Sequence, residues 1–311
     1  MKKKLIFLSI FILIAYLLVF PAQAVHAAAT GLILWYERVL PSLLPFAILS
    51  NILIYSNAIS ILMRYLYPVI QPFFPCSPEG GFVLLSGFLF GFPMGSKNCA
   101  ELLKAGKLEK EEADLLFIIT NNISPVFISS YILCQELNVP SLIGISYLIL
   151  YLPPLIFGAL WYRFFSRSGK TARQEKKPAS GSQMNFKIID AGIMNGFETL
   201  TRLGGYIMLF SIFASILTEL PLCLPLKTLL IGITEITNGI HQLPSSGYEK
   251  STCYILAMAF TAFGGFSGVA QTSSMVKGCA LSMKRYLLAK ILLAILSGIL
   301  AYGVLCCLKP F

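Results

Sequence analysis

Residues 87–104 read GFLFGFPMGSKNCAELLK. The stretch begins as an apolar run that can enter a bilayer, then meets Gly91, Pro93 and Gly95 within a few positions, where a helix propagates only at a cost. A break in the backbone follows. Unpaired peptide groups at membrane depth are tolerated where they are buried in protein or line a wet cavity, and broken helices of this kind build binding sites in secondary transporters. Ser96, Lys97 and Asn98 come directly after the break. The competing reading is a helix that stops at the membrane surface, with Lys97 as a snorkelling anchor.

A second copy near the C-terminus favours the break. Residues 263–281 read FGGFSGVAQTSSMVKGCAL, and one constant offset pairs Phe90 with Phe263, Gly91 with Gly264, Gly95 with Gly268, Lys104 with Lys277 and Leu108 with Leu281. The identities fall on the helix breakers, so the chain reads as an internal repeat.

Composition bounds the class. The 311 residues are 56% hydrophobic and 12% charged, with a mean hydropathy of +0.76, too few charges to clothe a water-soluble globule of this size. The chain reads as an all-α polytopic membrane protein of about seven to nine helices, broken or re-entrant segments included. The net charge of +10 sits in the first residues and one loop, where the positive-inside rule accounts for it, so the partner is the lipid bilayer and not nucleic acid. The eight cysteines form no CxxC pair and read as reduced, small apolar residues. His26 and His241 stand apart without neighbouring ligands, so neither metal nor cofactor is expected.

Residues 1–30 carry Lys2 to Lys4, an apolar core from Leu5 to Phe20 and a small-residue tail; a retained first membrane helix with a connector is favoured over a cleaved signal. Residues 31–162 are taken as the first repeat. It holds an irregular helix interrupted at Pro41 and Pro45, a proline-rich surface passage from Pro68 to Pro78, and the opening motif. An amphipathic surface helix at 103–114 follows, then LLFIITNNISPVFISSYIL, broken by Asn121, Asn122, Ser124 and Pro125, then a span at 141–162. Residues 163–189 form a basic loop expected in the cytoplasm. Residues 190–311 are taken as the second repeat, with spans near 203–220, 252–266 and 286–307 and a short segment 226–240 containing TEITNG. If both basic regions are cytoplasmic, one segment between them fails to cross. Residues 80–96 are the shortest and most broken, which makes them re-entrant and the two repeats inverted.

GLILWYERVLPSLLPF, GFLFGFPMGSKNCAELLKAGKL, EEADLLFIITNNISPVFI, TEITNGI and AFGGFSGVAQTSSMV together resemble the sporulation integral membrane protein YlbJ family, whose members carry the nucleoside-recognition or Gate domain. The resemblance covers most of the chain. It implies a multi-pass, transporter-like protein of endospore formation in the mother-cell-derived outer forespore membrane, with dipicolinate as the suggested cargo. At Phe92 the family more often has Tyr.

The leading functional expectation is a transporter of a small organic anion. Its wall would be built from Gly91, Pro93, Gly95, Ser96, Lys97 and Asn98, from Asn121, Asn122, Ser124 and Pro125, and from Gly264, Gly265, Ser267, Gly268, Gln271, Thr272 and Ser273. Arg202 is held as an alternative cation. Glu235, Thr237 and Asn238 are candidates for coupling to a proton or sodium ion, against the plainer reading of Glu235 as an interfacial helix end. No HExxH, GxSxG or intramembrane aspartate pair argues for an enzyme. A non-transporting scaffold and a nucleoside-type transporter remain the alternatives, and a homo-oligomer is compatible with the sequence.

Overall fold

The structure is a computed structural model that describes residues 2–164 and 184–308; most of the basic loop, including Ser180, lies outside the described residues. Among those described the protein is all-helical, as expected of a polytopic membrane protein. Five helices are long and apolar enough to cross a membrane: Pro21–Tyr55, Pro140–Phe164, Phe186–Glu219, Lys250–Met275 and Met283–Leu308. Phe7–Val19, Ile59–Ile70 and Leu224–Thr234 are shorter apolar helices. Large apolar side chains remain exposed along outer faces, among them Phe11, Leu18, Leu292 and Ile299, as a lipid-facing surface requires.

In chain order, α1 spans Lys2–Val19, α2 Pro21–Leu34, α3 Leu40–Tyr55, α4 Ile59–Ile70, α5 Pro78–Leu89, α6 Met94–Lys104, α7 Lys110–Ile119 and α8 Ile143–Phe164. Then come α9 Phe186–Glu219, α10 Leu224–Thr234, α11 Ile236–Gln242, α12 Lys250–Phe263, α13 Gly265–Met275 and α14 Met283–Leu308. The small-residue tail after Phe20 is helix, not connector. Ala24 and Ala27 are buried where α2 packs on α9, because alanine favours helix and lets two backbones approach. A π-helical turn over Trp35–Val39 joins α2 to α3 without a stop, so the interruption expected at Pro41 and Pro45 is a change of pitch.

Two other expectations change. Pro68 lies inside α4, leaving the loop to the residues just before α5. Residues 103–114 are not one surface helix: Gly106 at φ +65° ends α6, and Leu102, Leu108 and Ala113 are buried in the core beside α7. Serine chemistry starts α5, with the Ser77 Oγ accepting the Gly80 N–H at 3.0 Å and Pro78 in the first turn.

The two breaks read from the sequence are both present in the backbone. Gly91 and Gly264 both stand at left-handed φ, +79° and +82°, and the offset joining them also carries the start of α7, Lys110, onto the start of α14, Met283. After Gly91 the chain folds back, so that Gly87 in α5 and Gly95 in α6 both abut Thr120. The second break directs its two helices differently: α12 packs on α14, α11 and α8, whereas α13 packs on α9, α10 and α6.

Candidate functional site

Three departures from helix, besides the Gly91 break, build the site. Residues 120–124 run unwound after α7, and helix resumes at Pro125 and passes into the π-helical segment Phe127–Glu136. Carbonyls here are satisfied from outside: Asn122 O accepts the Phe92 N–H at 2.6 Å, Ile123 O accepts the Tyr151 hydroxyl at 2.6 Å, and Pro125 O accepts the Tyr147 hydroxyl at 3.0 Å. Tyr147 and Tyr151, one turn apart on α8, thus replace the missing helical donors. Gly91 is pressed on this stretch, and a Cβ there would lie 2.5 Å from the Ser124 nitrogen. Gly264 separates α12 from α13.

The remaining break is at Glu235, which sits between α10 and α11 with an extended backbone, φ −144° and ψ 118°. Its Oε2 accepts the Thr237 hydroxyl, the Asn238 N–H at 2.8 Å and the Asn238 Nδ2 at 2.9 Å. Glu235 is only 2% exposed and stands at the start of α11. Asn238 also donates to Ser211 Oγ at 3.1 Å, tying the capped turn to α9.

These breaks converge on a cavity of about 60 Å³, room for roughly four waters. Phe92, Ile123, Ser124 and Phe127 line it from the first half; Glu235, Thr237, Gly264, Ser267, Gly268 and Gln271 line it from the second, with Leu34 and Ser42 closing one side. Gln271 donates to Ser267 Oγ at 2.9 Å, and its Oε1 is buried without a partner. The Phe92 ring lies against Gly268, where a Cβ would come within 3.2 Å of it, so the two repeated motifs touch at the cavity.

Other expected residues gather elsewhere. Asn121 holds the halves together: its Oδ1 accepts the Ser96 hydroxyl at 2.9 Å, and its Nδ2 donates to Thr272 Oγ1 at 2.7 Å and to the Tyr286 hydroxyl at 2.6 Å. That amide makes three bonds, whereas Asn122 makes one, from its Nδ2 to Ile119 O at 2.7 Å. Pro93 caps α6 and accepts the Lys97 N–H at 2.9 Å, and Pro125 serves through its carbonyl. Gly265 packs its backbone on Thr234 and Glu235. Ser273 is exposed, and Arg202 is an exposed ion-pair partner of Glu198.

Lys97 is buried, 5% exposed, but not at the cavity. Its ammonium donates to Asn51 Oδ1 at 2.7 Å and Asn195 Oδ1 at 2.5 Å, with Glu101 Oε1 at 3.7 Å. That cluster joins α3, α6 and α9. Asn98, beside it in sequence, is fully buried and both of its amide atoms lack partners. The residue that the repeat offset pairs with Asn98 is Gln271, likewise a buried carboxamide with a free polar atom. The sequence reading passed over Asn51, Asn195, Tyr147, Tyr151, Tyr286 and Lys290; a lone polar group inside an apolar run was the available signal for Asn51 and Lys290.

Helices broken inside an apolar bundle, with a mainly apolar cavity holding a few polar groups at the meeting of the breaks, define an integral membrane protein of transporter-like build. Residues 37–138, from the π-helical turn through the unwound stretch, match the family described as Gate, nucleoside recognition. The chain is 28% identical over 318 aligned positions to the sporulation integral membrane protein YlbJ of Bacillus subtilis (strain 168), covering 90% of this chain and 77% of that protein. No solved structure matches. The Gate match covers residues 37–138, and the similarity to YlbJ runs over 90% of the chain.

Proposed function

We propose that the protein transports a small organic anion through the junction of its broken segments during endospore formation, with dipicolinate as the cargo and the outer forespore membrane as the site. The observation that carries this reading is the cavity where the breaks of both halves meet, because a scaffold has no use for buried polar groups left without partners. The sporulation context rests on the similarity to YlbJ. Inverted repeats around that cavity are the arrangement by which such a bundle alternates its access.

Charge at the cavity shapes the mechanism. Among the described residues Glu235 is the one ionisable side chain lining it, and an ionised carboxylate would repel an anion in a medium of low dielectric. Protonated, the same group becomes a donor to the cargo. The cargo and a proton therefore enter together, with Glu235 as the proton site, Thr237 and Asn238 holding the carboxyl, and Gln271 and Ser124 contacting the solute. The test is uptake of dipicolinate into vesicles containing the purified protein, with an imposed proton gradient. Accumulation that collapses with the gradient supports the reading, and no flux of any small carboxylate favours the scaffold.

A further inference from the structure

Met283–Leu308 is the most apolar span, with a hydropathy of 2.6, and Lys290 is the only charged residue between Arg285 and Lys309. Its side chain is 2% exposed, among the largest fully buried in the protein. Among the described residues no carboxylate pairs with it, and its one acceptor is Ala262 O, to which the ammonium donates at 3.2 Å. Ala262 belongs to the last turn of α12, whose helical bonding ends when the Gly264 N–H bonds to Phe260 O. The last carbonyls of a helix lack intrahelical donors and carry the negative end of its dipole, so at membrane depth they need a donor and favour a cation.

The first half shows that the ammonium is not part of the shared plan. The repeat offset relates Lys290 to Phe117, an apolar side chain whose ring packs 5.0 Å from that of Tyr286. We infer that Lys290 occupies a monovalent-cation site at the carbonyl end of α12, so that the protein carries internally the cation that broken helices of this type otherwise take from solution. Gly264, two residues beyond Ala262, lines the cavity. The internal cation thus neutralises the break that faces the solute, and this half needs no dissociable alkali ion to stay folded.

The test uses the purified full chain in detergent, with thermal unfolding followed by tryptophan fluorescence while choline chloride is exchanged for lithium, sodium or potassium chloride at constant ionic strength. The parent should unfold at the same temperature in every salt. Lys290→Ala should unfold earlier in choline and regain about 3 to 5 °C, saturably, in at least one alkali salt. Lys290→Met, which keeps the stem and fills the space, should be destabilised and unresponsive to all of them. Failure of every alkali ion to recover Lys290→Ala, folded or not, overturns the inference. So does a parent that alkali ions stabilise as much as the variant, or a Lys290→Met protein as stable as the parent.

Discussion

Adding one methyl group at Gly95 tests whether the first motif is a packed break or a helix end. A Cβ at this position would collide with the Thr120 carbonyl oxygen, lying 2.9 Å from Thr120 Oγ1 and 3.0 Å from its carbonyl carbon. Ordinary contacts begin near 3.5 Å, and the carbonyl oxygen is the closest of the three atoms, so α6 and the unwound stretch must part by about one ångström. The same two segments are tied by Phe92 N–H to Asn122 O at 2.6 Å and by Ser96 to Asn121 at 2.9 Å, bonds that stretch as they separate. Overpacking costs about 1 to 3 kcal/mol, and each weakened buried bond about 1 kcal/mol more. Gly95→Ala should therefore lose about 3 to 5 kcal/mol. Gly303→Ala is the control: nothing lies within 4 Å of its added Cβ, so replacing a helical glycine should gain about 0.5 to 1 kcal/mol. Thermal unfolding in detergent, with binding of dipicolinate as a second readout, separates the two. Equal unfolding temperatures for Gly95→Ala and Gly303→Ala would refute the close approach.

Lys97→Met should cost about 3 to 5 kcal/mol, because it leaves the Glu101 carboxylate and two amide oxygens buried without their cation, whereas Lys107→Met, at an exposed hydrogen bond to Asn57, should change the unfolding temperature little; equal losses would place Lys97 at the surface. Asn121→Ala removes three side-chain bonds, two of them between the halves, and should cost about 2 to 4 kcal/mol against about 1 for Asn122→Ala, and the reverse order would remove Asn121 as the tie. Burial pushes the Glu112 carboxyl up from its ordinary value, more than the Ser77 N–H bond at 2.6 Å lowers it. A raised folded pKa means the folded chain holds the proton to higher pH, so this contribution to stability is present in acid and is lost as pH rises through the folded pKa. The parent should gain more than Glu112→Gln when unfolding is compared at low and neutral pH, and identical pH slopes would show that Glu112 titrates as an exposed group.

Much of the fold was legible because glycine, proline and asparagine state their backbone needs locally. Gly91 and Gly264 announce two breaks, and TNNISP announces a third. The break at Glu235 carries no such mark, since neither glycine nor proline stands in ITEITN and glutamate is not a preferred cap; only the fold makes its carboxyl close α11. Side-chain roles were less legible, and Ser96 and Lys97 show why. Both follow the break, so sequence proximity assigned both to the solute. Adjacent helical residues differ by about 100° in direction, which sends Ser96 to Asn121 within the first half and Lys97 to Asn51 and Asn195, both distant in sequence. The break fixes where polar groups occur along the chain, and helical phase decides which of them meet. For Lys290 the phase turns a lone lysine inward, onto the end of a neighbouring helix, and a charge that reads as an anomaly in α14 becomes the neutralising group of α12.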